Sequence, residues 1–150
     1  MSFDMRELYQ EVILDHNRRP RNKGVIEEAS GSAEGHNPLC GDHVQITLRT
    51  EGGLVSEIAF EGSGCAISTA SASLMTEAVK GMTVEQAEAL FREFQQMVTS
   101  DAEVDELPDM GGLNALAGVR EHPVRIKCAI LPWHTLHAAL ATGEAKVSTE

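Results

Sequence analysis

Long apolar runs are missing from this chain, and so is any pair of cysteines spaced Cys-x-x-Cys. The first absence leaves no segment of membrane-spanning helix length. The second speaks against a zinc ribbon or a thioredoxin-type redox site. Aromatic residues are scarce, at 4% of 150 residues, so a core has to be built from Val, Ile, Leu, Met and Ala. Basic residues are outnumbered, with 12 Lys and Arg against 23 Asp and Glu and a net charge of −11. That balance disfavours nucleic acid and anionic membranes as partners. The opening Met1-Ser-Phe-Asp4 lacks the basic and apolar regions of a signal peptide, so a cytoplasmic location is expected. No internal repeat or low-complexity segment is visible. The three cysteines, Cys40, Cys65 and Cys128, are an odd number without an export signal, which argues against a disulfide framework.

What remains reads as one domain over residues 1–150. Its centre is Glu61-Gly-Ser-Gly-Cys65-Ala-Ile-Ser-Thr, a strand end, a glycine turn and a helix that begins at a cysteine. Gly62 and Gly64 are read as turn residues able to take positive φ. The N–H groups of a first helical turn favour an anionic sulfur there.

Upstream, Asp4 and Glu7 form a capping box for a helix over residues 4–17. A basic cluster, Asn17-Arg-Arg-Pro20-Arg-Asn22, follows it, either complementing the helix dipole or serving as a docking patch. An edge strand fits residues 29–33. Val44, Ile46 and Leu48 alternate with polar residues as a half-buried strand, and Glu51-Gly-Gly53 turns it into a second strand through Val55, Ile58 and Phe60. Downstream, Gly81 caps the Cys65 helix, and Thr83 with Gln86 opens the next one. Residues 100–109 are acidic and aperiodic. Residues 113–119 form a short helical patch that Pro123 breaks. A last helix starts at Cys128, with Pro132 in its first turn. The tail 143–150 is expected to fray. Helix, antiparallel strands, then helices gives an α+β fold, a small sheet of about three antiparallel strands packed against helices.

Two cysteines thus open helices, and Cys40 sits in a Pro/Gly turn two residues before Asp42. If these ends meet, three thiolates and a carboxylate suffice for tetrahedral zinc, or for a sulfur-held cluster with oxygen as fourth donor. Spacing alone equally allows three separate buried cysteines.

The motifs go further. Asn37-Pro-Leu-Cys-Gly-Asp42, Phe60-Glu-Gly-Ser-Gly-Cys-Ala-Ile-Ser68 and Arg125-Ile-Lys-Cys-Ala129 resemble, in order, the three cysteine motifs of the SufU/IscU (NifU N-terminal-like) iron–sulfur assembly family. The resemblance spans residues 4–142. It implies an IscU/SufU-like fold and the ligands Cys40, Asp42, Cys65 and Cys128. Within the family the chain is most similar to the SufU branch. The IscU-type histidine before the third cysteine is replaced by Lys127. The Leu-Pro-Pro-Val-Lys chaperone motif is replaced by Ala129-Ile-Leu-Pro-Trp133. An insertion of about residues 100–122 separates the second and third cysteines.

The SufU likeness implies a zinc-bound acceptor of persulfide sulfur from a SufS-type cysteine desulfurase, a sulfur-transfer protein more than a free-standing enzyme. Cys40, on its turn, is the expected acceptor. The alternative is a scaffold for a transient [2Fe–2S] cluster, or for iron, that is passed to downstream assembly or acceptor proteins. Three thiolates, a carboxylate and Zn²⁺ sum to about −2, so positive charge is expected beside them. Arg125, three residues before Cys128, and Lys127 are the local candidates. His43 follows Asp42 and is left out of the ligand set.

Overall fold

The structure, a computed structural model, describes residues 2–38, 41–100, 109–142 and 144–148. The elements are α1 (Ser2–Arg18), β1 (Gly31–Asn37), β2 (Asp42–Glu51), β3 (Leu54–Ser63), α2 (Ala66–Val79), α3 (Val84–Thr99), a 3₁₀ segment (Gly111–Glu121), α4 (Pro123–Thr142) and β4 (Glu144–Ser148). The sheet order is β3-β2-β1-β4. The first three strands are antiparallel, as the alternation predicts. The tail departs from expectation, because Glu144–Ser148 pairs parallel to β1 and supplies a fourth, edge strand.

Local chemistry accounts for most of these boundaries. Gly52 and Gly53 both take positive φ (59° and 81°), as a two-residue hairpin turn requires, and Glu51 faces Leu54 across it. Val44, Ile46 and Leu48 are buried on one face of β2. Thr83 and Gln86 close a complete capping box on α3. Helix α1 begins at Ser2, ahead of the expected Asp4 cap. β1 extends beyond the expected edge strand, to Asn37.

Helix α4 differs more. It begins at Pro123, which takes the first helical position, where a missing N–H is harmless, instead of breaking the chain. Cys128 is therefore its sixth residue, and Pro132 lies inside the helix. Having no N–H, Pro132 cannot bond the carbonyl of Cys128 four residues back.

β1 and α4 pack closely. A Cβ on Gly31 would lie 2.5 Å from the Ala139 carbonyl oxygen, and one on Gly35 would overlap Thr135 Oγ1. The missing side chains at Gly31 and Gly35 let the helix settle against the strand. Helix α2 is buried between α1, α4, β3 and the 3₁₀ segment, and it carries hydroxyls as well as Leu74, Met75 and Val79 inward. Three aromatics, Phe91, Phe94 and Trp133, gather between α3 and α4, where Phe94 stacks on the fully buried Trp133 with centroids 4.7 Å apart.

Candidate metal centre

Three elements converge at one end of the domain. Asp42 opens β2 and is fully buried. Cys65 is the N-cap of α2, as expected, and is exposed. Cys128 lies in the second turn of α4 and is 2% exposed. One donor atom from each lies within 4.8 Å of the other two. Cys40 lies outside the described residues. In the chain it stands between Asn37 and Asp42, which are strand partners.

The bonds within this group show how it is held. The Cys65 backbone N–H donates to Asp42 Oδ1 at 2.9 Å, and the Cys65 sulfur lies 4.0 Å from Oδ2. The Ser68 N–H donates to the Cys65 sulfur at 3.5 Å, the capping bond of α2. The Asn37 amide donates to the Cys128 sulfur at 3.8 Å. Gly62 has the positive φ expected of it, 138°. Gly64 serves differently, since a Cβ there would sit 2.9 Å from Asp42 Oδ1. The bare backbone leaves room for the carboxylate.

The donor set fits a tetrahedral ion. Two sulfurs at zinc–sulfur distances of about 2.3 Å stand roughly 3.8 Å apart, and the observed separations need only a small closing motion. Soft sulfurs with one harder oxygen suit zinc or iron. Among the described residues this is the only group of three or more His, Cys, Asp or Glu side chains so placed.

The other expected site residues are partly gathered. Arg125 is exposed on α4 one turn before Cys128, a spacing that puts the two on neighbouring positions of one helix face. Lys127 is half-buried. His43 is exposed on the strand face opposite the buried Asp42. Cys128 was expected to open a helix and does not, because α4 starts five residues earlier. Its sulfur is buried and accepts the Asn37 amide. Asn37 stood in the first motif without a role. Its place just before Pro38, at a strand end, was the available signal.

A second polar cluster lies farther along α2. His16, buried on α1, shares a 2.7 Å hydrogen bond with Ser73 Oγ, which also accepts the Arg21 N–H at 2.8 Å. Arg21 pairs with Asp15 at 2.6 Å and with Glu77 at 3.8 Å. The hydrogen bond from Arg21 holds the Asp15 carboxyl below its ordinary value. Burial, reinforced by the Arg21 charge, pushes His16 below its ordinary 6.5. Burial, then the nearby His137, does the same to His134. The basic cluster after α1 is thus largely spent on pairing within the fold. No helix among the described residues is long and apolar enough to cross a membrane.

The NifU-like N-terminal domain profile matches residues 8–149. A zinc-dependent sulfurtransferase SufU of Bacillus subtilis (strain 168) is 43% identical over 146 residues, covering 96% of this chain and 98% of its own length. An iron–sulfur cluster assembly scaffold protein IscU of Streptococcus pyogenes serotype M1 is 39% identical, covering 91% and 84%. A crystal structure described as an iron–sulfur cluster assembly scaffold protein for the SUF system, from Fervidobacterium islandicum AW-1, superposes with a TM-score of 0.79. It is 34% identical and covers 87% of this chain and 94% of its own.

Proposed function

The chain belongs to the NifU-like N-terminal domain family, and on that premise we propose that it is an iron–sulfur cluster assembly protein that accepts persulfide sulfur at a zinc-holding site. The observation that carries this is the meeting of Asp42, Cys65 and Cys128 from three separate elements. The family likeness to a zinc-dependent sulfurtransferase supports it. Zinc, when bound, keeps the thiolates deprotonated at neutral pH and shields them from oxidation.

Cys40, Asp42, Cys65 and Cys128 are the proposed ligand set, with Cys40 as sulfur acceptor. Two residues from Asp42, Cys40 is within reach of the same ion by chain length alone. Cys128 is too buried to meet an incoming donor, and Cys65 is held by the Ser68 N–H and caps a helix. In the transfer, the Cys40 thiolate attacks the terminal sulfur of the donor persulfide. The donor S–S bond breaks, the donor cysteine leaves as a thiolate, and Cys40 carries the persulfide, with no net redox change. Arg125 offsets the negative charge of the ligand set, and Lys127 adds to it. The donor is a SufS-type cysteine desulfurase, and the work is done in the cytoplasm, where thiols stay reduced.

The test is sulfur transfer from desulfurase and radiolabelled cysteine to wild type, Cys40→Ala, Cys65→Ala and Cys128→Ala. Loss of label in Cys40→Ala supports the assignment. Label retained in Cys40→Ala but lost in the other two overturns it. A scaffold reading is favoured by the IscU relatives at 38–39% identity. There the same residues would hold a transient [2Fe–2S] cluster as cargo. Elemental analysis of protein purified without iron supplementation separates the two: stoichiometric zinc for the first, iron and sulfide for the second.

A further inference from the structure

Residues Gly31, Ala33, Gly35 and Asn37 form one row on β1, and all four are buried against α4. The row and the helix run in opposite directions. Gly31 meets Ala139, and Gly35 meets Thr135 and Leu131. Two further strand residues advance the row by about 7 Å, which at about 1.5 Å per helical residue is four or five positions along α4. That step brings Asn37 to Cys128, where its amide donates to the sulfur at 3.8 Å. The row therefore ends in a fully buried amide after three small residues. An apolar side chain at that position would avoid the desolvation cost that a buried amide carries unless it is bonded.

We propose that Asn37 is a positioning residue for the metal centre. Its N–H holds the Cys128 sulfur toward Asp42 and Cys65 and takes up part of the thiolate's negative charge. A thiolate so bonded is a poorer nucleophile and a more persistent ligand. Cys128 then stays an anchor while another sulfur receives the cargo. The asymmetry is visible in the two described cysteines. The Cys65 sulfur is exposed and takes a main-chain N–H, whereas the Cys128 sulfur is buried and takes a side-chain amide. Asn37 is also the strand partner of Asp42, so one residue ties a sulfur ligand to the start of the strand that carries the oxygen ligand.

This inference rests on the metal reading above, and the experiment keeps the two apart. The whole chain is loaded with Co²⁺ as a spectroscopic stand-in for zinc, and the thiolate-to-cobalt absorption and the metal affinity are measured for wild type, Asn37→Ala and Asn37→Asp. The expected result is an affinity about 10–100-fold lower in Asn37→Ala, with a displaced thiolate band and an unchanged far-ultraviolet dichroism spectrum. Asn37→Asp is expected to be worse, because it keeps the size but exchanges the donor for a negative charge beside the thiolate. A purely space-filling role predicts the reverse order, with the isosteric Asp the milder change. That order, or wild-type affinity and band position in both variants, overturns the proposal. Should Asn37→Asp fail to fold, Asn37→Ala and the smaller neutral Asn37→Ser carry the same band and affinity comparison. A wild-type protein that shows no thiolate–cobalt band removes the metal reading itself, and this proposal with it.

Discussion

Helix α2 carries two polar clusters of different composition, one at its N-terminal end and one around Ser73 and Glu77, and they do different things. Around His16, Ser73, Arg21, Asp15 and Glu77, donors meet acceptors within the protein, and the cluster locks α1 onto α2. At the N-terminal end, Asp42, Cys65 and Cys128 bring a carboxyl group and two sulfurs together, with the Cys65 and Ser68 N–H groups and the Asn37 amide donating to them. The first cluster is complete without a ligand. The second calls for a cation. Burial of polar atoms alone does not mark function; what marks it is sulfur and carboxylate donors placed within reach of one ion.

That contrast can be broken most sharply at the ligands. Cys65→Ala and Cys128→Ala are each expected to lose metal affinity by more than the roughly 100-fold that changes to supporting residues cost, with melting curves of the chelator-treated proteins little altered. Elemental analysis and chelator competition check this. Unfolding of wild type on metal removal would show that the ion holds the fold together instead. Gly64→Ala is next. Its Cβ would fall 2.9 Å from Asp42 Oδ1 and 3.3 Å from Ser68, so a loss of about 10–100-fold in metal affinity is expected.

At the other cluster the effects should reverse. Ser73→Ala leaves the buried His16 ring and the Arg21 N–H without this partner, at a cost of about 1–3 kcal/mol. That amounts to a drop of about 3–10 °C in melting temperature, with metal stoichiometry unchanged. The smallest effect is expected from pH. His16 and His134 have folded-state pKa values lowered from 6.5, chiefly by burial. The unfolded chain therefore binds more protons in this range. Their contribution to stability is full above pH 6.5 and is lost as pH falls below it toward the folded values. Urea unfolding of chelator-treated protein between pH 7.5 and 5 should show the decline, and His16→Asn should flatten part of it.

Much of the framework was legible because it rests on local chemistry. The alternation of Val44, Ile46 and Leu48, the Gly52-Gly53 turn, the Thr83–Gln86 box and the cap at Cys65 each involve residues a few positions apart. The start of α4 was misread because a proline can either break a helix or open one, and the choice lay with what packs on the preceding turn. β4 was missed because a short polar strand gains its pairing from β1, far away in the chain. Asn37 and Ser73 were invisible as functional or structural parts, since each acts through a partner more than fifty residues distant.

The order of residues alone determined the hairpin, the helix that springs from Cys65 and the family to which the motifs point, because turn, cap and motif chemistry is short-ranged. Only the tertiary structure decided that Asp42, Cys65 and Cys128 share one locus, and that Cys128 is buried while Cys65 is exposed. The burial of Cys128 goes with how closely α4 settles on β1 at Gly31 and Gly35, a packing distance that no local pattern encodes.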